Sequence, residues 1–160
     1  MLVAGWHFAM RAGLRIVVTP SLPLGVYQIH VGAPTRGDLV LACLPEPVAR
    51  FALGRGYLWE GSCPGGDVPL AKMMAAVAGD TVTVTSAGLA INGRSVPNSL
   101  PRDRDSMGRP LSSQPRGAYL VRNSEVWLAA PYHPLSFDSR YFGPVPAAGV
   151  VARLDPLWTW

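Results

Sequence analysis

Asp80-Thr81-Val82-Thr83-Val84-Thr85-Ser86-Ala87-Gly88-Leu89-Ala90-Ile91-Asn92-Gly93-Arg94 is the stretch that decides the fold class. From Asp80 to Thr85 polar and apolar residues alternate with a period of two, as in a strand that lays one face on a core. Ser86-Ala87-Gly88 turns the chain, and Leu89-Ala90-Ile91 runs it back. Asn92-Gly93 then supplies two residues that tolerate positive φ, the strongest short-range hairpin signal, so Arg94-Ser95-Val96-Pro97 pairs next.

The same pattern recurs on both sides. Gln28-Ile29-His30-Val31-Gly32 alternates after Tyr27, and Leu39-Val40-Leu41-Ala42-Cys43-Leu44 is a short apolar run between turns, which fits a buried strand. Ala118-Tyr119-Leu120-Val121 and Glu125-Val126-Trp127-Leu128-Ala129 read as two more strands. One short helix is expected around Val48–Leu53, before Gly54. With 17 Gly and 16 Pro in 160 residues and no repeat, the composition favours many short strands and turns in one domain. Residues 98–117 shift to Arg, Asp, Ser, Pro and Gln and are expected to form a long, flexible, exposed loop.

The net charge of +4 is spread along the chain without a basic block or interleaved aromatics, which argues against a nucleic-acid partner. It fits solubility or attraction to an anionic membrane surface. Met1–Met10 is apolar apart from His7, but Arg11 and Arg15 follow too soon for a bilayer span, which needs about 20 apolar residues. We read residues 1–16 as a short or truncated membrane-proximal segment and 17–160 as the functional domain. An interfacial segment or a first buried element is the competing reading. No histidine or cysteine spacing suits a metal, so neither metal nor cofactor is expected.

Lys72 is the only lysine in a chain whose other strong bases are all arginine. An arginine keeps its proton, whereas a lysine buried among apolar residues such as Met73-Met74-Ala75-Ala76 can lose it and act as a base. Ser21, in Thr19-Pro20-Ser21-Leu22-Pro23, is flanked by prolines that stiffen the segment and favour an extended backbone, a good mount for a nucleophilic hydroxyl. A neutral lysine can take that hydroxyl's proton without a third, acidic member. His30 is a weaker candidate partner for Ser21, since no acid is placed to orient it.

Cys43 and Cys63 are the only cysteines, and they flank the helical excursion. They are either one disulfide, stabilising by about 3 kcal/mol through loop closure, or two buried thiols. Ser136-Phe137-Asp138-Ser139-Arg140-Tyr141-Phe142-Gly143 sets an Asp and an Arg two residues apart among aromatics, where the charges must satisfy each other if they are buried.

Four pieces, taken in order, resemble the type I signal peptidases, serine endopeptidases with a Ser/Lys dyad, and most closely their TraF-type conjugative-transfer branch. They are Thr19-Pro20-Ser21-Leu22-Pro23, Arg36-Gly37-Asp38-Leu39-Val40, Lys72 with Gly79-Asp80, and Ser136 through Gly143. The resemblance implies a mainly β fold, a signal-peptidase-like (LexA-like) complex of antiparallel sheets with a small inserted β-hairpin subdomain. It implies Ser21 as nucleophile, Lys72 as general base, and Thr19 with the amide of Ser21 as the oxyanion hole. Ser136 stands where the family has a serine bonded to the lysine, and Asp138 and Arg140 would hold that last box in place. Met73, Ala78 and Ala130-Pro131-Tyr132 depart from the general family pattern. Together with Cys43-Leu44-Pro45 and Ser62-Cys63-Pro64-Gly65-Gly66, they agree with the conjugative branch.

The resemblance implies a membrane-associated endopeptidase at the bacterial inner membrane, with its catalytic domain on the periplasmic side. It would cut a pilin or another signal-peptide-bearing precursor after small residues, alongside type IV secretion components. The acyl-enzyme would be resolved by water or by an amine, the second giving a cyclic pilin. An inactive module that binds or chaperones pilin is the alternative from another class. A self-cleaving regulator with the same dyad is a third, disfavoured by the missing DNA-binding region and by the Cys pair.

Overall fold

The structure, a computed structural model, describes residues 13–160. The apolar run Met1–Met10 and His7 lie outside the described residues. Two antiparallel sheets account for most of the rest. The larger has seven strands, ordered β1-β2-β11-β3-β4-β9-β10, and the smaller four, ordered β7-β6-β5-β8. In chain order these are β1 (Leu14–Val17), β2 (Gly25–His30), β3 (Leu39–Ala42), β4 (Leu70–Ala76), β5 (Thr81–Thr85), β6 (Gly88–Ile91), β7 (Arg94–Ser95), β8 (Gly117–Leu120), β9 (Glu125–Ala129), β10 (Val145–Pro146) and β11 (Val150–Thr159). The helices are α1 (Glu46–Gly54) and the one-turn α2 (Ser139–Phe142).

The small sheet is the inserted hairpin subdomain, enlarged to four strands. Val82 and Val84 point inward and the threonines of β5 do not, as the alternation requires. Asn92 (φ 49°) and Gly93 (φ 79°) both take positive φ, which matches a primed hairpin turn. The inner face of this sheet packs on Ala75, Ala76, Trp127 and Ala129 from β4 and β9, so the insert shares a core with the main sheet.

In the main sheet, alternate residues serve two further clusters. Val40 and Ala42 of β3 join Leu70, Met74 and Leu128, whereas Leu41 faces Tyr27, Ala152 and Leu154. Sequence reading did not find β1, β4, β10 or β11, the last of which is the longest strand. In β11, Ala152 and Leu154 face the core and Arg153 and Asp155 do not, but Pro156 ends this short alternation, and the strand pairs with both β2 and β3 in the middle of the sheet. The register shift after Pro156 accommodates a residue that has no amide proton to give the ladder.

The sulfurs of Cys43 and Cys63 are bonded, with Cα atoms 5.5 Å apart. The closed loop between them carries α1, whose Ala49 packs with Val40, Ala42 and Leu70 of the main sheet. Between β7 and β8 the chain is irregular apart from an isolated bridge of Arg104 to Pro110, and it is tied down at Asp105 and at Arg140.

Candidate active site

Ser21 lies in the connection from β1 to β2. It sits in a turn, which corrects the extended conformation read from the two prolines: Pro23 restrains Leu22 rather than Ser21. Leu22 is 1 % exposed and anchors the turn in the core. The Tyr27 hydroxyl donates to the Pro23 carbonyl at 2.7 Å, and the Trp160 amide donates to the Leu24 carbonyl at 3.0 Å. Gly25 is needed where this connection enters β2, because a Cβ there would come within 2.2 Å of the Trp158 carbonyl oxygen. The serine is therefore mounted next to the closely packed end of the β2–β11 pairing.

Lys72 occupies β4 between Leu70 and Met74, and the alternation turns all three side chains toward the core. Its neighbour across the ladder is Val40 of β3. Lys72 is 2 % exposed, and among the described residues no carboxylate pairs with it. Burial drives its pKa down to about 8; the Asp138 carboxylate opposes that fall, and the Arg140 guanidinium adds to it. A sizeable share of molecules thus carries a neutral amine at mildly alkaline pH.

Ser136 comes from the turn that precedes α2. Its hydroxyl lies 2.9 Å from the Ser21 hydroxyl, so the hydrogen bond present here joins the two serines rather than Ser136 and Lys72. Two residues on, Asp138 caps α2 by accepting from the Arg140 amide at 3.1 Å, and it also accepts from the Ala130 amide at 3.1 Å. The Arg140 guanidinium meets the same carboxylate with both prongs, Nε at 2.8 Å and Nη2 at 2.7 Å. Neither side chain is exposed at all. Burial alone would disfavour the Arg140 charge, but the contacts with Asp138 outweigh it and hold its pKa above the usual value. Arg140 Nη1 also donates to the carbonyls of Asn98 (2.8 Å), Leu100 (3.2 Å) and Pro134 (3.3 Å). One ion pair thereby fixes the segment that carries Ser136 and the start of the long loop.

Ser21, Lys72, Ser136 and Thr19 all line one cleft of about 420 Å³. Tyr57, Trp59, Leu135 and Phe137 form apolar walls. The loop after β7 supplies Arg102, Arg104 and Asp105. Burial would raise the Asp105 carboxyl, but hydrogen bonds from the Tyr57 hydroxyl (2.6 Å) and from Arg109 Nε (2.7 Å) prevail and hold it well below the usual carboxylate range. His30 is elsewhere: its Nε2 lies 3.1 Å from Asp155, at the far end of β2. Sequence reading did not single out Tyr57, Trp59, Arg102 or His133, since they reach the cleft from three separate loops with no shared spacing. The Asp105/Arg109 pair, four residues apart, was the one legible hint.

Chemically, a cleft with a hydroxyl, a buried amine of lowered pKa and apolar walls suits nucleophilic attack on a carbonyl. The chain matches the family model described as signal peptidase, peptidase S26, over residues 9–159. The protein belongs to that family. A probable conjugal transfer protein TraF of Sinorhizobium fredii is 43% identical over 155 residues, covering 95% of this chain and 80% of the relative. A plasmid transfer protein TraF of Escherichia coli is 36% identical over 161 residues, covering 100% of this chain and 89% of the relative. A signal peptidase I from Enterococcus faecalis, solved by crystallography, aligns with a TM-score of 0.43 at 24% identity, over 78% of this chain and 99% of that one. The sequence matches carry the assignment. They make the protein a member of the signal peptidase family that is similar to proteins named for conjugal and plasmid transfer.

Proposed function

We propose that the protein is a serine endopeptidase in which Ser21 is acylated with Lys72 as general base. The observation that carries this reading is the buried, carboxylate-free ammonium of Lys72 in the same cleft as a serine hydroxyl held by a second hydroxyl. Neutral Lys72 Nζ takes the Ser21 Oγ proton as Oγ bonds to the scissile carbonyl carbon. The oxyanion is met by the Ser21 amide and the Thr19 hydroxyl, a donor of a kind worth about 3 kcal/mol of barrier. The tetrahedral intermediate then collapses, the C–N bond breaks, and Lys72 returns its proton to the leaving amine. Water or a second amine attacks the acyl ester and frees Ser21.

The substrate in this reading is a pilin or another conjugative-transfer precursor, cut after small residues. The similarity to conjugal transfer proteins supports it. Attachment to the inner membrane, with the cleft on the periplasmic side, is part of the same proposal. The disulfide favours an oxidising compartment, and the exposed Val18, Leu157, Trp158 and Trp160 suit a membrane interface. The test is mass spectrometry of a pilin precursor co-expressed with the wild type, with Ser21→Ala and with Lys72→Arg. Processing by the wild type alone supports the dyad, and a product lighter by one water identifies ring closure. Equal processing in all three would refute it.

A further inference from the structure

The cleft that holds Ser21 and Lys72 carries a charge imbalance that the proposed chemistry does not require. Arg15, Arg102 and Arg104 stand around it, and among the described residues none of the three has a carboxylate partner. Arg104 Nη1 donates to the Gly108 carbonyl at 2.7 Å, while the Arg102 side chain makes no hydrogen bond. The one carboxylate lining the cleft is Asp105, and it is fully engaged. Tyr57 and Arg109 hold it through their side chains, Arg55 lies at 3.4 Å, and the Met107 and Arg109 amides each donate at 2.9 Å. Two arginines on one carboxylate leave that cluster positive as well.

We propose that the cleft selects peptide segments that carry a carboxylate side chain close to the bond that is cut, held by Arg102 and Arg104. The proposal rests on reading the cleft as a peptidase site and adds to it the charge of the substrate. Arg102 and Arg104 are two residues apart on a stretch anchored on one side by Asp105 and on the other by the Arg140 contacts to Asn98 and Leu100. A planar guanidinium on an anchored loop loses little freedom on binding and can take a carboxylate with two parallel bonds. The apolar walls beside it, Tyr57, Trp59 and Phe137, concentrate the field of unpaired charges, so an anion is drawn in and a lysine-bearing segment is repelled.

The experiment uses Ala/Gly-rich peptides spanning a small-residue bond, identical except for one Glu, Gln or Lys placed in turn on either side of it. Binding is read on the Ser21→Ala chain through Trp59 fluorescence, which needs no turnover. In at least one placement the Glu peptide should bind about fivefold more tightly than the Gln peptide, with the Lys peptide weaker still and the spread closing as salt is raised. The charge-reversed Arg102→Glu/Arg104→Glu chain should invert the Glu/Lys order. Equal binding of the three peptides, failure of the Glu peptide to bind, or a Glu preference that survives charge reversal would overturn the proposal. Cleavage of the same peptides by the wild type is scored separately. No cleavage with an intact binding order counts against the peptidase reading alone, and cleavage without charge preference counts against this one alone.

Discussion

Two buried cations, Lys72 in β4 and Arg140 at the start of α2, differ in one respect that sets their roles apart. Arg140 is fully buried but meets Asp138 with two short bonds and three carbonyls with its remaining prong. Lys72 is buried to nearly the same degree and has no carboxylate partner among the described residues. Pairing and multiple hydrogen bonds offset the loss of solvent around Arg140, which stays charged and holds loops together. The same loss around Lys72 is opposed only by the Asp138 charge, without a direct contact, and falls largely on its proton. Whether a buried base is a fastener or a reagent is thus decided by whether the fold supplies a counterion.

The sharpest way to break the contrast is to take the counterion from Arg140. Asp138→Ala strands a buried guanidinium and frees two amides, so unfolding free energy should fall by about 3–5 kcal/mol. Chemical denaturation at neutral pH measures it, and a loss below 1 kcal/mol would mean that the pair is not what fixes the segment.

Lys72→Met makes the opposite prediction, with nearly as large an effect. A pKa lowered from 10.5 to about 8 means that the folded state resists the charge. The variant should gain up to about 3 kcal/mol at pH 7 while losing cleavage. The sign follows from proton counting. Between pH 8 and 10.5 the unfolded chain binds the extra proton, so wild-type stability rises with pH across that window and levels off above it. Lys72→Met should lack this rise. Denaturation series at pH 7, 9 and 11 on both chains would show it, and the wild-type cleavage rate should climb to a plateau above about pH 8. A stability curve common to both chains would remove the lowered pKa.

The smallest effect is expected at Ser136, which touches the reacting hydroxyl without taking its proton. Ser136→Ala removes one hydrogen bond, worth about 1 kcal/mol, and should slow acylation roughly fivefold with little change in stability. Single-turnover kinetics on a precursor peptide would resolve it. A loss as deep as that of Ser21→Ala would make Ser136 a partner in proton transfer.

Much of the fold was legible because it is written locally. The period of two in Thr81–Thr85 and the Asn92-Gly93 turn placed the inserted sheet, and Glu125–Ala129 came out with both ends correct. Strand β11 escaped because its alternation spans only Ala152 to Asp155 before Pro156 ends it, and its pairing partners lie more than a hundred positions back. The turn at Ser21 was misread for a similar reason. Proline biases its own neighbour, but the close pairing of β2 and β11 at Gly25 shapes the segment.

The sequence alone determined the chemistry available: a single lysine, a serine between prolines, an Asp and an Arg two apart, one pair of cysteines, and a family whose boxes occur here in order. These are properties of residue type and short spacing, which survive without a structure. Only the tertiary structure decided which charges are neutralised. It gave Asp138 to Arg140 and Asp105 to Arg55 and Arg109, and among the described residues it left Lys72, Arg102 and Arg104 without an acid in contact. The reason is physical: a charge in a protein responds to whatever lies within a few ångströms, and those neighbours arrive from strands and loops that the linear chain keeps far apart.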